Sequence, residues 1–152
     1  MIVSVFTQAW FLMALGAAVA WGLGYTLDER LMKSGLTPAV LMIAHMAVTF
    51  PLYLYYALSH GDPMKELGVI LSDKKIIIIL IISSIAILGG NFLILYSIHE
   101  KNATLASMIE ISYPFFIAFF SWLFFKDLQF NAWTMLGGIL VFCGIGVILL
   151  KS

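Results

Sequence analysis

The stretch KKIIIILIISSIAILGGNFLILYSIHEKNATLASMIEISYPFFIAFFSWLFFKD, residues 74–127, decides the fold. It contains two apolar runs, residues 76–98 and 103–125, separated by the short polar segment His99-Glu100-Lys101-Asn102. Each run is long enough to cross the hydrocarbon core of a bilayer as a helix, which takes about 20 residues. The runs are continuous and do not alternate apolar with polar residues, so they favour membrane-spanning helices over barrel strands.

Three further apolar runs share this character, at residues 10–27, 39–58 and 132–150. The sequence therefore predicts an all-α integral membrane protein in which residues 1–152 form a single domain of five transmembrane helices. Between the second and third spans, Asp62-Pro63 fits the N-cap and first position of a helix. We expect a short interfacial helix there, reaching Leu71.

The composition excludes most other classes of protein. Hydrophobic residues make up 62% of the 152-residue chain and charged residues 11%, whereas soluble domains carry about 25% charged residues. Eight Lys and Arg residues balance eight Asp and Glu residues, so the chain lacks the basic surface of a nucleic-acid binder. Cys143 is the single cysteine, and no catalytic constellation is recognisable. We expect no metal, no cofactor, no nucleic-acid partner and no enzymatic activity.

Basic residues are divided equally between the two faces of the membrane. We call the face on which the first span begins side A, and the opposite face side B. Side A carries Lys65, Lys74, Lys75 and Lys126, and side B carries Arg30, Lys33, Lys101 and Lys151. The positive-inside rule depends on an excess of Lys and Arg on one side. The tie permits dual topology, with copies inserted both ways and paired antiparallel; alternatively, other signals fix one orientation.

Four spans each carry an unusual side chain at a similar predicted depth. These side chains are Trp21, His45, Asn91 and Glu110. Counted from the predicted span ends at 1.5 Å per residue, all four lie about 10–12 Å from side B. A shared depth on four helices indicates a common cavity.

Glu110 is the only acidic residue well inside a predicted span. An ionisable group at such a depth usually faces the bundle interior or a water-filled cavity, so Glu110 is the predicted proton- or cation-coupling site. The alternative is a structural carboxylate that bonds to Asn91 or His45. Pro114 lies four residues later and cannot donate a hydrogen bond to the Glu110 carbonyl, which predicts a helix kink beside the carboxylate.

The remaining predicted cavity residues share helical stripes with this polar layer. They are Tyr25, Thr49, Ser107 and Tyr113. For the hydroxyl groups, simple bonding between packed helices is the alternative interpretation. Four glycines, Gly16, Gly24, Gly137 and Gly144, are predicted to allow close helix packing.

The order and spacing of several motifs resemble the EamA-type domain of the drug/metabolite transporter superfamily. They are Trp21-Gly22, the stretch LYSIHEKNATLASMIEISYPFFIAFFSWLFFKD with its proline at Pro114, and the glycine-rich WTMLGGILVFCGIGVILL near the end of the chain. Lys126-Asp127 stands where this family usually has Gly-Glu. The resemblance implies a secondary transporter built from five-helix repeats of opposite orientation, and this chain carries one repeat.

The sequence thus predicts a half-size transporter of small metabolites or drug-like molecules, working by alternating access as a homodimer in the inner or plasma membrane of a prokaryote. Its partners would be the lipid bilayer, a second copy of the chain and a small-molecule substrate. The alternative is a non-transporting membrane subunit or assembly factor whose polar layer is structural.

Overall fold

The computed structural model describes residues 8–127 and 131–150, and within them it contains helices, connecting turns and no strand. The long helices are α1 (Ala9–Lys33), α2 (Pro38–His60), α4 (Lys74–Glu100) and α7 (Ala132–Leu149). The short helices are α3 (Pro63–Ser72), α5 (Ala103–Glu110) and α6 (Tyr113–Phe120), and a π-helical turn (Ser121–Phe125) follows α6. With Ala103–Phe125 counted as one span, five segments are long and apolar enough to cross a membrane. The predicted all-α membrane fold is confirmed.

The helix boundaries follow from local capping chemistry. The Thr37 hydroxyl accepts a hydrogen bond from Val40 N at 3.4 Å, and Pro38 occupies the first turn of α2. The Asp62 carboxylate accepts from Lys65 N at 3.2 Å ahead of Pro63, where α3 begins. A short polar side chain before the first turn satisfies an N–H group that has no partner in the helix.

The chain divides into two compact units, Met1–Glu100 and Lys101–Ser152. In the first unit, α4 packs against α1, α2 and α3, and α1 also packs against α2. The buried residues of this unit lie where α1 ends, α2 begins and α4 ends; they are Asp28, Met32, Pro38, Leu41, Leu95 and Ile98. None of the residues in the most apolar window of α1 or α4 is buried. The core of the first unit therefore lies at its side B end.

In the second unit, the fourth span is interrupted. The Asn102 side chain accepts from Leu105 N at 2.8 Å and caps α5, which ends at Glu110. A turn at residues 111–112 follows, and α6 resumes with Pro114 in its first turn. After the π-helical turn, Lys126 adopts the left-handed conformation with φ 58°.

Candidate functional site

A buried carboxylate joins α1 to α2. Asp28 is 7% exposed, and its Oδ1 lies 3.2 Å from Nε2 of His45. The His45 side chain is about half exposed. An ionised carboxylate removed from water is strongly destabilising unless a partner compensates it, so the imidazole of His45 is an essential neighbour of Asp28.

Asp28 lies just past the predicted first span, residues 10–27, and is not among the predicted site residues. The helix instead continues to Lys33. Glu29 forms an i, i+4 ion pair with Lys33, which supports this last turn. The helical spacing of Trp21, Tyr25 and Asp28 was the available signal, since it places the acid on the stripe of the predicted cavity residues.

The helix α1 extends past the predicted end of the first span. Trp21 lies about 18 Å from the end of α1 at 1.5 Å per residue, and His45 lies about 10 Å from the start of α2. Asp28 on α1 therefore lies at the same level as His45 on α2. Trp21 is 60% exposed and Tyr25 is partly buried, so burial along this stripe increases toward side B.

Two predicted cavity hydroxyls bond within their own helices. Thr49 Oγ1 donates to the His45 carbonyl at 2.8 Å, and Ser107 Oγ donates to the Thr104 carbonyl at 3.1 Å. Such bonds satisfy the hydroxyl hydrogen locally. Both bonds stay within one helix. These two contacts therefore do not support the alternative that the hydroxyls join packed helices.

Asn91 has a different environment. It is exposed in the middle of the apolar α4, and its side chain has no hydrogen-bond partner in the part of the chain that the structure describes. An amide without a partner costs several kcal/mol in hydrocarbon, on the order of 4–8. A hydrogen-bond partner for the Asn91 amide would therefore be favourable in a membrane.

Glu110 is partly buried and is the last residue of α5. The turn that follows it separates it from Tyr113 and Pro114 in the first turn of α6, and Tyr113 is 47% exposed. The predicted kink position therefore coincides with a break in the regular α-helix, at which Ile111 and Ser112 keep right-handed backbone conformations. The coupling role of Glu110 and the cavity role of Tyr113 stay predictions.

Gly138, which was not among the predicted packing positions, carries a close contact between two helices. The Phe115 ring of α6 occupies the place where a side chain at Gly138 of α7 would lie, and it also meets the Phe142 ring at 4.9 Å between centroids. At the predicted positions a side chain would meet nothing in this chain within 4 Å; these are Gly16, Gly24, Gly137 and Gly144. Their role in packing stays a prediction.

An apolar cavity of about 380 Å³ lies beside this contact in the second unit. Its walls include Pro114, Phe115 and Ala118 of the fourth span and Thr134 and Gly137 of α7. No charged side chain lines it. This cavity is suited to apolar groups and offers no ligand for an ion.

Metal chemistry has no support in the described residues. Among residues 8–127 and 131–150, no group of three or more His, Cys, Asp and Glu side chains could hold a metal ion. Asp28 and His45 supply two ligands, and a stable protein site usually provides three or four.

Five apolar spans, an interrupted fourth span and a polar pair between the first two spans define a multi-pass membrane protein. The model of the EamA-like transporter family matches residues 8–150. The chain belongs to this family, which is part of the drug/metabolite transporter superfamily, and the predicted resemblance is confirmed. No match was found among curated proteins or among solved structures.

Proposed function

We propose that the protein is a half-size secondary transporter of small organic molecules that works by alternating access as a homodimer. The observation that carries this proposal is the family match over residues 8–150, which includes five spans and therefore one repeat. Transporters with internal repeats place substrate at the interface between two repeats. In this proposal a second copy of the chain supplies the second repeat.

The exposed polar and small residues of the spans support the dimer. The Asn91 side chain is exposed in the described part of the chain, where a second copy could supply a hydrogen-bond partner. On α1 and α7, a side chain at the predicted packing glycines would meet nothing in this chain within 4 Å. A second copy could therefore approach these positions closely. The equal division of Lys and Arg between the two faces supports an antiparallel pair in the inner or plasma membrane of a prokaryote.

Glu110 is the proposed coupling residue. It stands at the interruption of the fourth span, and broken spans are typical of ion sites in transporters. Trp21, Tyr25, His45, Thr49, Asn91, Ser107 and Tyr113 are the proposed cavity residues. The proposal assigns the chain transport and no catalysis.

Reconstitution tests transport. The purified full chain is placed in liposomes, and uptake of three radiolabelled probes is measured with and without a pH gradient. The probes are benzyltrimethylammonium as a cation, phenylalanine as a zwitterion and thymidine as a neutral solute. We expect saturable, gradient-dependent uptake of at least one probe, and Glu110→Gln should remove the gradient dependence. Glu100→Gln, at the last residue of α4 at side B, is the matched control.

Absence of uptake for all three probes would contradict transport and favour the non-transporting subunit. The topology is tested separately by tags at both termini and accessibility from each side in intact cells. A mixed population of orientations is the expected result, and a uniform one would exclude antiparallel pairing by dual insertion.

A further inference from the structure

The short helix α3 is held at the side A end of two membrane spans. It follows α2 after the two residues Gly61 and Asp62, and α4 follows it after the single residue Asp73. Both α2 and α4 are long and apolar enough to cross a membrane, and α3 packs against α4. Each connecting residue reaches at most about 3.6 Å, so α3 stays beside the ends of the two spans. In a membrane its surroundings are lipid headgroups and the first part of the acyl chains.

The helix α3 is amphipathic, and its apolar face is uncovered. Met64, Leu67 and Leu71 follow one another at helical spacing and therefore share one face. Their side chains are 79%, 46% and 65% exposed, respectively. Lys65 projects at least about 100° away from each of the three. An uncovered apolar face with a cationic side chain on the other side is typical of a helix that lies in the interface of a bilayer.

The lysines at this surface have no acidic partner in the chain. Among residues 8–127 and 131–150, no ion pair involves Lys65, Lys74 or Lys75. Two neighbouring acids bind backbone groups instead. The Asp62 carboxylate accepts from Lys65 N, and the Asp73 carboxylate accepts from Lys75 N at 2.8 Å. The three ammonium groups are therefore available to an anion from outside the chain.

The first turns of α3 and α4 differ in charge. The first turn of α3 contains Glu66, where a carboxylate complements the positive end of the helix dipole. The helix α4 begins with Lys74 and Lys75 and has no acidic residue in its first turn. Cations at this end of a helix are unfavourable because they add to the positive end of the dipole. A negative group placed beside the two lysines lowers the energy of this arrangement.

We propose that α3 and the start of α4 form a binding surface for anionic phospholipids. The ammonium groups of Lys65, Lys74 and Lys75 bind the lipid phosphate groups, and the apolar face of α3 enters the acyl-chain region. Lys residues near a membrane surface are attracted to anionic lipids. A free phosphate ion lacks the apolar part, and a zwitterionic lipid lacks the net negative charge. This inference goes beyond the proposed transport function and does not depend on it.

Lipid binding is measured on the full chain, purified in an uncharged detergent and freed of bound lipid. The probes are dioleoylphosphatidylglycerol and dioleoylphosphatidylcholine, which share their acyl chains and differ in net charge. Native mass spectrometry follows the bound lipid during a titration. We expect phosphatidylglycerol to bind about tenfold more tightly than phosphatidylcholine, because each lysine adds to the attraction. Equal binding of the two lipids would overturn the proposal.

Two triple variants locate the charge preference. The variant that combines Lys65→Gln, Lys74→Gln and Lys75→Gln should bind the two lipids equally. The matched control removes the same number of cations from side B; it combines Arg30→Gln, Lys33→Gln and Lys101→Gln. The control should keep the preference for phosphatidylglycerol. Equal loss of the preference in both variants would overturn the proposal, because net charge alone would then explain the binding.

A second pair of variants tests the apolar face. Leu71→Asn should weaken the binding of both lipids by about three- to tenfold, because it removes apolar surface from the contact with the acyl chains. Val69→Asn is the matched control, since Val69 is 54% exposed and lies on the other side of α3. It should bind both lipids as the unmodified chain does. Equal effects of the two substitutions would contradict the assigned face.

Competition separates a lipid from a free anion. Inorganic phosphate and glycerophosphoglycerol, the headgroup without acyl chains, should not displace phosphatidylglycerol at millimolar concentration. Displacement by either would overturn the lipid assignment and indicate a site for a soluble phosphate. The outcome is independent of the transport assay. A preference for phosphatidylglycerol without liposome uptake of any solute would contradict transport alone, and uptake with equal binding of the two lipids would contradict this surface alone.

Discussion

The Phe115 ring on α6 fills the space that a side chain at Gly138 on α7 would need. The same ring meets Phe142 edge-on, at 68° between the ring planes. Gly138 and Phe142 lie one helical turn apart on α7, and the Phe115 ring contacts both positions. Close packing of this kind depends on the absence of a Cβ at one position.

The first prediction concerns this contact. Gly138→Ala should lower the free energy of unfolding by about 1–3 kcal/mol, because the ring must move or the helices must separate. Thermal unfolding followed by circular dichroism in detergent measures the change. Gly146→Ala, at a position with nothing within 4 Å, is the control and should be neutral or slightly stabilising. An equal effect of both substitutions would show that helix propensity alone is responsible.

The second prediction concerns the link between α1 and α2. A double-mutant cycle of Asp28→Asn and His45→Gln should give a coupling free energy of about 1 kcal/mol. The coupling is expected because Asp28 Oδ1 and His45 Nε2 lie 3.2 Å apart. Chemical unfolding provides the measurement. Additive effects would mean that the two side chains do not interact.

The third prediction concerns Lys126. Its φ of 58° lies in a region that costs a non-glycine residue roughly 1–2 kcal/mol, while its Nζ lies 5.2 Å from the centroid of the Trp122 ring. Both Lys126→Gly and Lys126→Ala lose the cation–π contact, but only glycine relieves the backbone. The glycine variant should be more stable than the alanine variant by about 1 kcal/mol in thermal unfolding. Equal stability of the two variants would argue against a left-handed residue here.

The fourth prediction concerns the interruption between Glu110 and Tyr113. Pro114→Ala restores a backbone N–H and should let the helix run through residues 111–112, with higher helix content and slower probe uptake in liposomes. Pro51→Ala is the control, because Pro51 lies inside α2 without ending it. If Pro114→Ala increased the helix content but left uptake unchanged, the interruption would have no role in the transport cycle.

Sequence reasoning identified the spans because run length is a strong signal in a membrane protein. It also placed the short helix α3, since Asp62 and Pro63 carry local capping information. The helix α1 extends past the predicted end of the first span, although charges at residues 28–30 usually mark the membrane surface. The i, i+4 pair of Glu29 with Lys33 and the distant partner His45 keep this segment helical.

The rotation of each helix about its axis was harder to infer. The α7 sequence is apolar on every side, so its hydrophobic pattern does not identify a packing face. Gly137 and Gly138 are therefore equivalent in the sequence, although they point about 100° apart on a helix. Only the position of Phe115 distinguishes them, and that position depends on tertiary packing.

The confinement of the buried core to one end of the first unit has a mechanical consequence. From Leu41, α2 continues to His60, a lever arm of about 28 Å at 1.5 Å per residue. A tilt of about 10° at the fastened end displaces the far tip by about 5 Å. The far end of α2 carries Tyr53, Tyr55 and Tyr56, all more than 60% exposed. This end can thus move by about the width of a small solute while the buried residues at the start of α2 move little.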